Sequence, residues 1–133
     1  IEEFDMTKIY HQYWNLMELS GHFEKDKELC IVAELDGRVV GFALGHKRFS
    51  IWESDLGYFE WLAVSKEHQR KGIGSALCEE MLRRFKGMGV KRILADVRAE
   101  ENAPGKLLEK FSFKKLFSVN WFIKEIDKKP FTP

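Results

Sequence analysis

The 133 residues carry 22 Lys and Arg against 21 Asp and Glu, a formal net charge of +1, with 44% hydrophobic and 32% charged residues. That composition is expected of one soluble globular domain over residues 1–133, and its charge balance argues against a generic nucleic-acid binder. No apolar run is long enough to span a bilayer, and the opening IEEFDM lacks the basic-then-apolar pattern of a signal peptide, so a cytoplasmic location is the expectation. The chain starts at Ile1 without a Met, which leaves room for preceding residues. Cys30 and Cys78 stand alone among apolar neighbours, with neither metal-ligand spacing nor a disulfide framework. His11, His22, His46 and His68 do not pair at metal-ligand spacing either, so no metal is expected. His68 reads as a surface residue.

Residues 6–19 place Ile9, Tyr13, Leu16 and Met17 near one helical face, and Gly21 ends the stretch. Residues 29–35 and 39–44 are apolar runs separated by Asp36-Gly37, the pair that a tight hairpin turn favours. A loop over 52–57 leads into a strand over 58–64, and Trp52 in that loop is a candidate wall for an acceptor pocket. Over 73–88 the period becomes helical. Leu77, Met81, Phe85 and Met88 share a stripe, and Gly87 and Gly89 close the helix. Residues 92–97 predict a strand, 105–111 a short helix after Pro104, and 114–117 and 121–126 two closing strands. This alternation predicts an α/β (or α+β) class, with one sheet and helices on its faces.

The segment 58–77, YFEWLAVSKEHQRKGIGSAL, carries the chemistry. Gly72 and Gly74 let the backbone turn tightly and approach a bulky ligand. The first amides of the following helix have no intrahelical partner, and the macrodipole adds positive potential there. A strand, a glycine loop and a helix start together make an anion cradle, and Arg70 and Lys71 add charge. A Walker loop would need Gly-Lys-Ser/Thr where Gly74-Ser75-Ala76 stands, and a dinucleotide fingerprint would need a third glycine where Leu77 stands. Neither fits.

Gln69-x-x-Gly72-x-Gly74 after an apolar strand resembles the central motif of the GCN5-related N-acetyltransferase (GNAT) family. Asn102-Ala103-Pro104 followed by Leu107 to Phe113 resembles the family's later motif. The resemblance implies a mixed sheet whose two central parallel strands, here 58–64 and 92–97, splay apart around acetyl-CoA. The family's first strand is unaccounted for. By the same resemblance the main chain of Leu62, Ala63 and Val64 pairs with the acetyl-pantetheine arm. Gln69, Arg70, Lys71, Gly72, Ile73, Gly74 and Ser75 hold the pyrophosphate, and Asn102 approaches the pantetheine or the sulfur.

The implied reaction is direct acetyl transfer to a primary amine of a small molecule or protein. The Leu62 N–H is the implied oxyanion donor. Glu60 is the candidate base, because side-chain alternation places it on one strand face with Tyr58, Leu62 and Val64, and polyamine acetyltransferases carry a glutamate at this offset. Tyr58 is a secondary candidate. Relatives usually place a tyrosine acid where Leu108 stands here, which keeps open an alternative: a catalytically weak acetyl-CoA-binding regulatory module on the same fold. The glutamate offset points to a small cationic acceptor. No membrane or nucleic-acid partner is expected, and monomer and homodimer both stay open.

Overall fold

The computed structural model describes residues 26–48, 55–97 and 102–127. The helix expected over 6–19, Gly21 and Trp52 lie outside them. Asp36 and Gly37 have φ of 51° and 78°, the paired positive values that a two-residue hairpin turn requires. They join strand β1 (Cys30–Leu35) to β2 (Arg38–Arg48) in antiparallel register, and Leu35 pairs with Arg38. β2 runs past the expected 39–44 because its far half is paired by a second neighbour, β3 (Leu56–Val64), starting from Arg48 opposite Leu56. β4 (Arg92–Ala95) lies parallel to β3, giving the order β1-β2-β3-β4 in a mixed sheet of the expected α/β class.

β3 is bulged at its centre. Leu44 pairs with Trp61 and Gly45 with Phe59, which leaves Glu60 as the extra residue. The extra residue reverses the alternation. Phe59 packs into the cluster of Leu77, Cys78, Met81 and Phe85, and beyond the bulge Leu62 and Val64 pack against that same cluster. Trp61 and Ala63 instead join Phe42 and Leu44 on the opposite face. Strict alternation would put Glu60 with Tyr58, Leu62 and Val64. It keeps Tyr58 as a face-mate but loses the other two.

Helix α1 (Ile73–Gly87) buries Leu77, Cys78, Met81 and Phe85 against this sheet, the stripe its periodicity predicts. It sits close because glycines face it. A Cβ on Gly57 would lie 2.7 Å from Phe85 Cε1, and one on Gly45 3.0 Å from both Met81 Sδ and Phe85 Cζ. Gly89, at φ 79°, ends the helix, with Val90 N–H donating to the Phe85 carbonyl and Gly89 N–H to the Lys86 carbonyl, both at 3.1 Å. Gly87 is the last helical residue and not the breaker. On the outer face, hydrogen bonds from Arg83 and Arg84 hold the Glu80 carboxyl down at about 2.

Helix α2 (Asn102–Lys110) starts earlier than the expected 105–111. Pro104 falls in its first turn, where a helix needs no N–H from the chain. The two closing strands expected over 114–117 and 121–126 are not formed: residues 113–125 carry no regular structure. Trp121 is 86% and Phe122 93% exposed. Apolar side chains alone do not make a strand; a neighbouring edge must accept from its N–H groups and donate to its C=O groups, and no described strand pairs with this segment. No helix among the described residues is long and apolar enough to cross a membrane.

The seat beneath α1 makes opposite predictions for two glycines. Gly57→Ala should lower stability by about 1–3 kcal/mol through overpacking against Phe85. Gly87→Ala, where nothing lies within 4 Å, should raise it by up to about 1 kcal/mol through helix propensity. Urea midpoints of the two variants check both signs.

Candidate active site

The parallel ladder ends at Phe59 opposite Ala95, while β3 continues to Val64. Beyond that point the strands form a fork, and a cavity of about 410 Å³ opens between them. Its walls are Phe59–Leu62 and Val64 of β3, the chain at Ala95–Val97, His68–Arg70 and Gly74 at the start of α1, and Ala103, Pro104, Leu107 and Leu108 of α2.

The main chain of β3 can be oriented residue by residue. Ser65 N–H donates to the Val40 carbonyl of β2 at 2.8 Å. Backbone groups alternate edges along a strand, so Ala63 also turns toward β2 and Leu62 and Val64 turn toward the fork. The Gln69 side chain supports this direction, since its Nε2 donates to the Val64 carbonyl at 3.1 Å. Leu62 thus keeps both main-chain groups aimed into the cleft.

The other end of the cleft is the start of α1. Arg70 (φ 63°) and Gly72 (φ 84°) are both left-handed, and Gly72 is the N-cap with no side-chain cap. The first intrahelical bond comes from Ala76 N–H to the Gly72 carbonyl at 3.0 Å. The amides of Ile73, Gly74 and Ser75 therefore remain available to an anion. A Cβ on Gly74 would stand 3.7 Å from Leu107, 3.9 Å from Val64 and 4.0 Å from Leu62, so this glycine faces the slot between β3 and α2. Lys110 Nζ donates to Ser75 Oγ at 3.1 Å, bringing a further cation to the same helix end.

Of the residues singled out in the sequence, Glu60, Leu62, Val64, Gln69, Arg70 and Gly74 line the cleft. Ala63 does not: it is buried on the opposite face beside Trp61. Lys71 and Gly72 are exposed, and Ile73 and Ser75 are half-buried in the first turn of α1, outside the lining. Asn102 is exposed at the start of α2, and its neighbours Ala103 and Pro104 supply that part of the wall. Tyr58 stands outside the lining, and its hydroxyl donates to Asp96 Oδ1 at 2.6 Å. The Glu60 carboxylate lies 3.6 Å from His46 Nε2.

Three contributors escaped the sequence reading. His68 is half-buried in the cleft wall, its Nδ1 2.7 Å from Ser65 Oγ, where a surface position was expected. Asp96 lines the fork one residue past β4. Lys110 reaches the cradle from a different helix. Its place in the later motif was visible, but the approach of α2 to the first turn of α1 was not.

The cysteines stay outside this chemistry. Cys78 is 0% exposed, and burial pushes its thiol up to about 11. Cys30 is raised too, by burial and then by Asp26, and neither lines the cleft. A buried thiol with so raised a pKa is not a nucleophile.

The sequence matches the acetyltransferase (GNAT) family over residues 1–113. The chain belongs to that family. It is 36% identical over 74 residues to the L-2,4-diaminobutyric acid acetyltransferase of Nocardia farcinica, a match covering 55% of this chain and 37% of that protein. The aligned part thus spans well under half of that relative. An acetyltransferase of Sodalis glossinidius is 27% identical over 108 residues, covering 80% and 72% of the two chains. Among solved structures, the aminoglycoside acetyltransferase AAC(6')-Iy bound to a CoA-S-monomethyl-acetylneamine bisubstrate analogue superposes with a TM-score of 0.69. That match has 17% identity and covers 90% of this chain and 86% of the other, a shared fold.

Burial of Cys78 has a direct chemical readout. Iodoacetamide at neutral pH should leave Cys78 unlabelled in the native protein and label it fully in urea, as read by mass spectrometry of the peptide. Rapid native labelling would show that the core beneath α1 opens.

Proposed function

We propose that this chain transfers the acetyl group of acetyl-CoA directly to a primary amine. One observation carries the reading: a single cleft joins a strand edge that no described strand pairs beyond Phe59, with the Leu62 N–H and C=O and the Val64 N–H turned toward it, to the uncapped start of α1. An extended amide-bearing arm fits the first as an added strand, and a diphosphate fits the second. Acetyl-CoA has both in one molecule. The family's acyl donor is therefore the ligand whose chemistry this chain's own residues match.

The charged residues divide along the cleft. His68 and Arg70 stand toward the phosphate end, while Glu60 and Asp96 stand at the fork. In this reading Glu60 takes the proton from the incoming ammonium, which frees its lone pair to attack the thioester carbonyl. The Leu62 N–H faces the fork and stabilises the oxygen as it gains charge. Collapse of the tetrahedral intermediate breaks the C–S bond and expels the CoA thiolate, while the second proton of the acceptor nitrogen passes to solvent, which leaves the neutral amide. Leu107 and Leu108 cannot protonate it, so the sulfur leaves as the anion, which a thiol pKa of about 8.5 makes tolerable. The cysteines are inert, so acetyl passes straight from sulfur to nitrogen.

The anionic end suits a small cationic acceptor, and the relatives named for diaminobutyrate and aminoglycosides support that direction. The reading is of a cytoplasmic enzyme acting on a soluble amine, as monomer or homodimer, without nucleic-acid or membrane partners. Leu108 favours a second reading, a CoA-binding regulatory module without turnover.

Calorimetric titration with acetyl-CoA should give micromolar binding that is lost in Gly74→Asp, where a carboxylate would enter the slot beside the phosphates. Acceptors are then screened with 2,4-diaminobutyrate, spermidine, neamine and a peptide N-terminus. Glu60→Gln should keep acetyl-CoA affinity and lower kcat by about 100-fold or more. Absence of wild-type binding would sink the proposal; binding without turnover of any amine would favour the regulatory module.

A further inference from the structure

We propose that His46 is a positioning residue for Glu60, aiming its carboxylate into the fork from the strand behind it. This rests on the reading of Glu60 as the base. The bulge makes Glu60 the one residue of β3 with no register partner on β2. An extra residue has no Cα opposite it in the ladder, so side-chain contacts set the direction in which it points.

His46 is in place to give it. It pairs in register with Tyr58, and its half-buried side chain lies on the face that Glu60 shares. Its Nε2 stands 3.6 Å from Glu60 Oε2, within ion-pair range and longer than a finished hydrogen bond. Contacts of this kind commonly tighten when substrate arrives. The Glu60 side chain is only 16% exposed, so water competes little for the carboxylate.

The imidazole is itself braced. The Tyr58 ring meets it edge-on, with centroids 5.2 Å apart and planes at 80°. Tyr58 in turn is tied by its hydroxyl to Asp96 at 2.6 Å. The series runs from β2 through β3 to the end of β4, across the base of the fork. Glu60 and Asp96 line the cleft, whereas His46 and Tyr58 do not. His46 therefore acts through Glu60 and does not touch the reacting atoms. The same arrangement gives Tyr58 its role: it wedges the imidazole.

The test is a kinetic double-mutant cycle on the best acceptor from the amine screen. His46→Leu should lower kcat about tenfold or more while leaving KM for acetyl-CoA within about twofold. His46→Gln, which restores a nitrogen near the Nε2 position, should recover kcat to within about threefold of wild type. In the Glu60→Gln background, His46→Leu should cost nothing further, because two residues acting as one unit are not additive. Should His46→Leu fail to fold, His46→Phe keeps the edge contact with Tyr58, removes the nitrogen and carries the same comparison. Wild-type kcat in the Leu or Phe variant, or losses that add to those of Glu60→Gln, would overturn the role of His46 alone. Wild-type kcat in Glu60→Gln would overturn the base reading and this inference together.

Discussion

The pairing of β3 with β4 stops after Phe59 and Ala95, and the rest of the site depends on that interruption. A buried strand edge normally satisfies its N–H and C=O groups against a neighbour. Here no described strand pairs with the edge at Leu62 and Val64, where Gln69 Nε2 donates to the Val64 carbonyl, and the start of α1 lies at its end. In the proposed function, one constraint thus supplies two kinds of recognition, main-chain pairing for an extended arm and a cluster of amides for phosphate. The bulge at Glu60 adds a third. It turns Leu62 and Val64 toward α1 and directs a carboxylate at the place where the strands part.

Such a gap is useful only if its walls are stiff, because preorganised donors stabilise charge without reorganising. The stiffness comes from packing. Trp61, Phe85, Leu29, Met81 and Cys78 are essentially without solvent contact. Each large apolar side chain among them contributes about 1.5–3 kcal/mol on burial. Gly45 and Gly57 let α1 lie directly on β2 and β3, which fixes where its N-terminus points. Arg84 Nη1 adds a bond to the Glu28 carbonyl at 2.8 Å, tying the outer face of the helix to the turn before β1.

Much of this was legible in the sequence, for identifiable reasons. Asp36-Gly37 encodes positive φ, so the hairpin is a local property. The stripe of Leu77, Met81 and Phe85 has an unambiguous period, and the Gln69–Gly74 loop joins a strand to that helix in only one sensible way. The bulge was not legible. A strand of apolar residues on both faces alternates equally well with or without an extra residue, so the face assigned to Glu60 relative to Leu62 could not be read. His46 escaped for the same reason, since its approach to Glu60 is a matter of register between β2 and β3. The closing strands failed on a different ground: their apolar character over 114–126 states a need for burial and not what would supply it. Asn102 was placed by motif, and the start of α2 carries it to the surface.

The central claim is that the edge of β3 inside the fork is a binding surface for the acyl donor's extended arm. NMR-detected amide hydrogen exchange tests it at single residues. With acetyl-CoA bound, the Leu62 and Val64 amides should exchange at least about tenfold more slowly, while Ala63, already turned toward β2, should be unchanged. Equal rates with and without acetyl-CoA at Leu62 and Val64, or protection confined to Ala63, would contradict the claim.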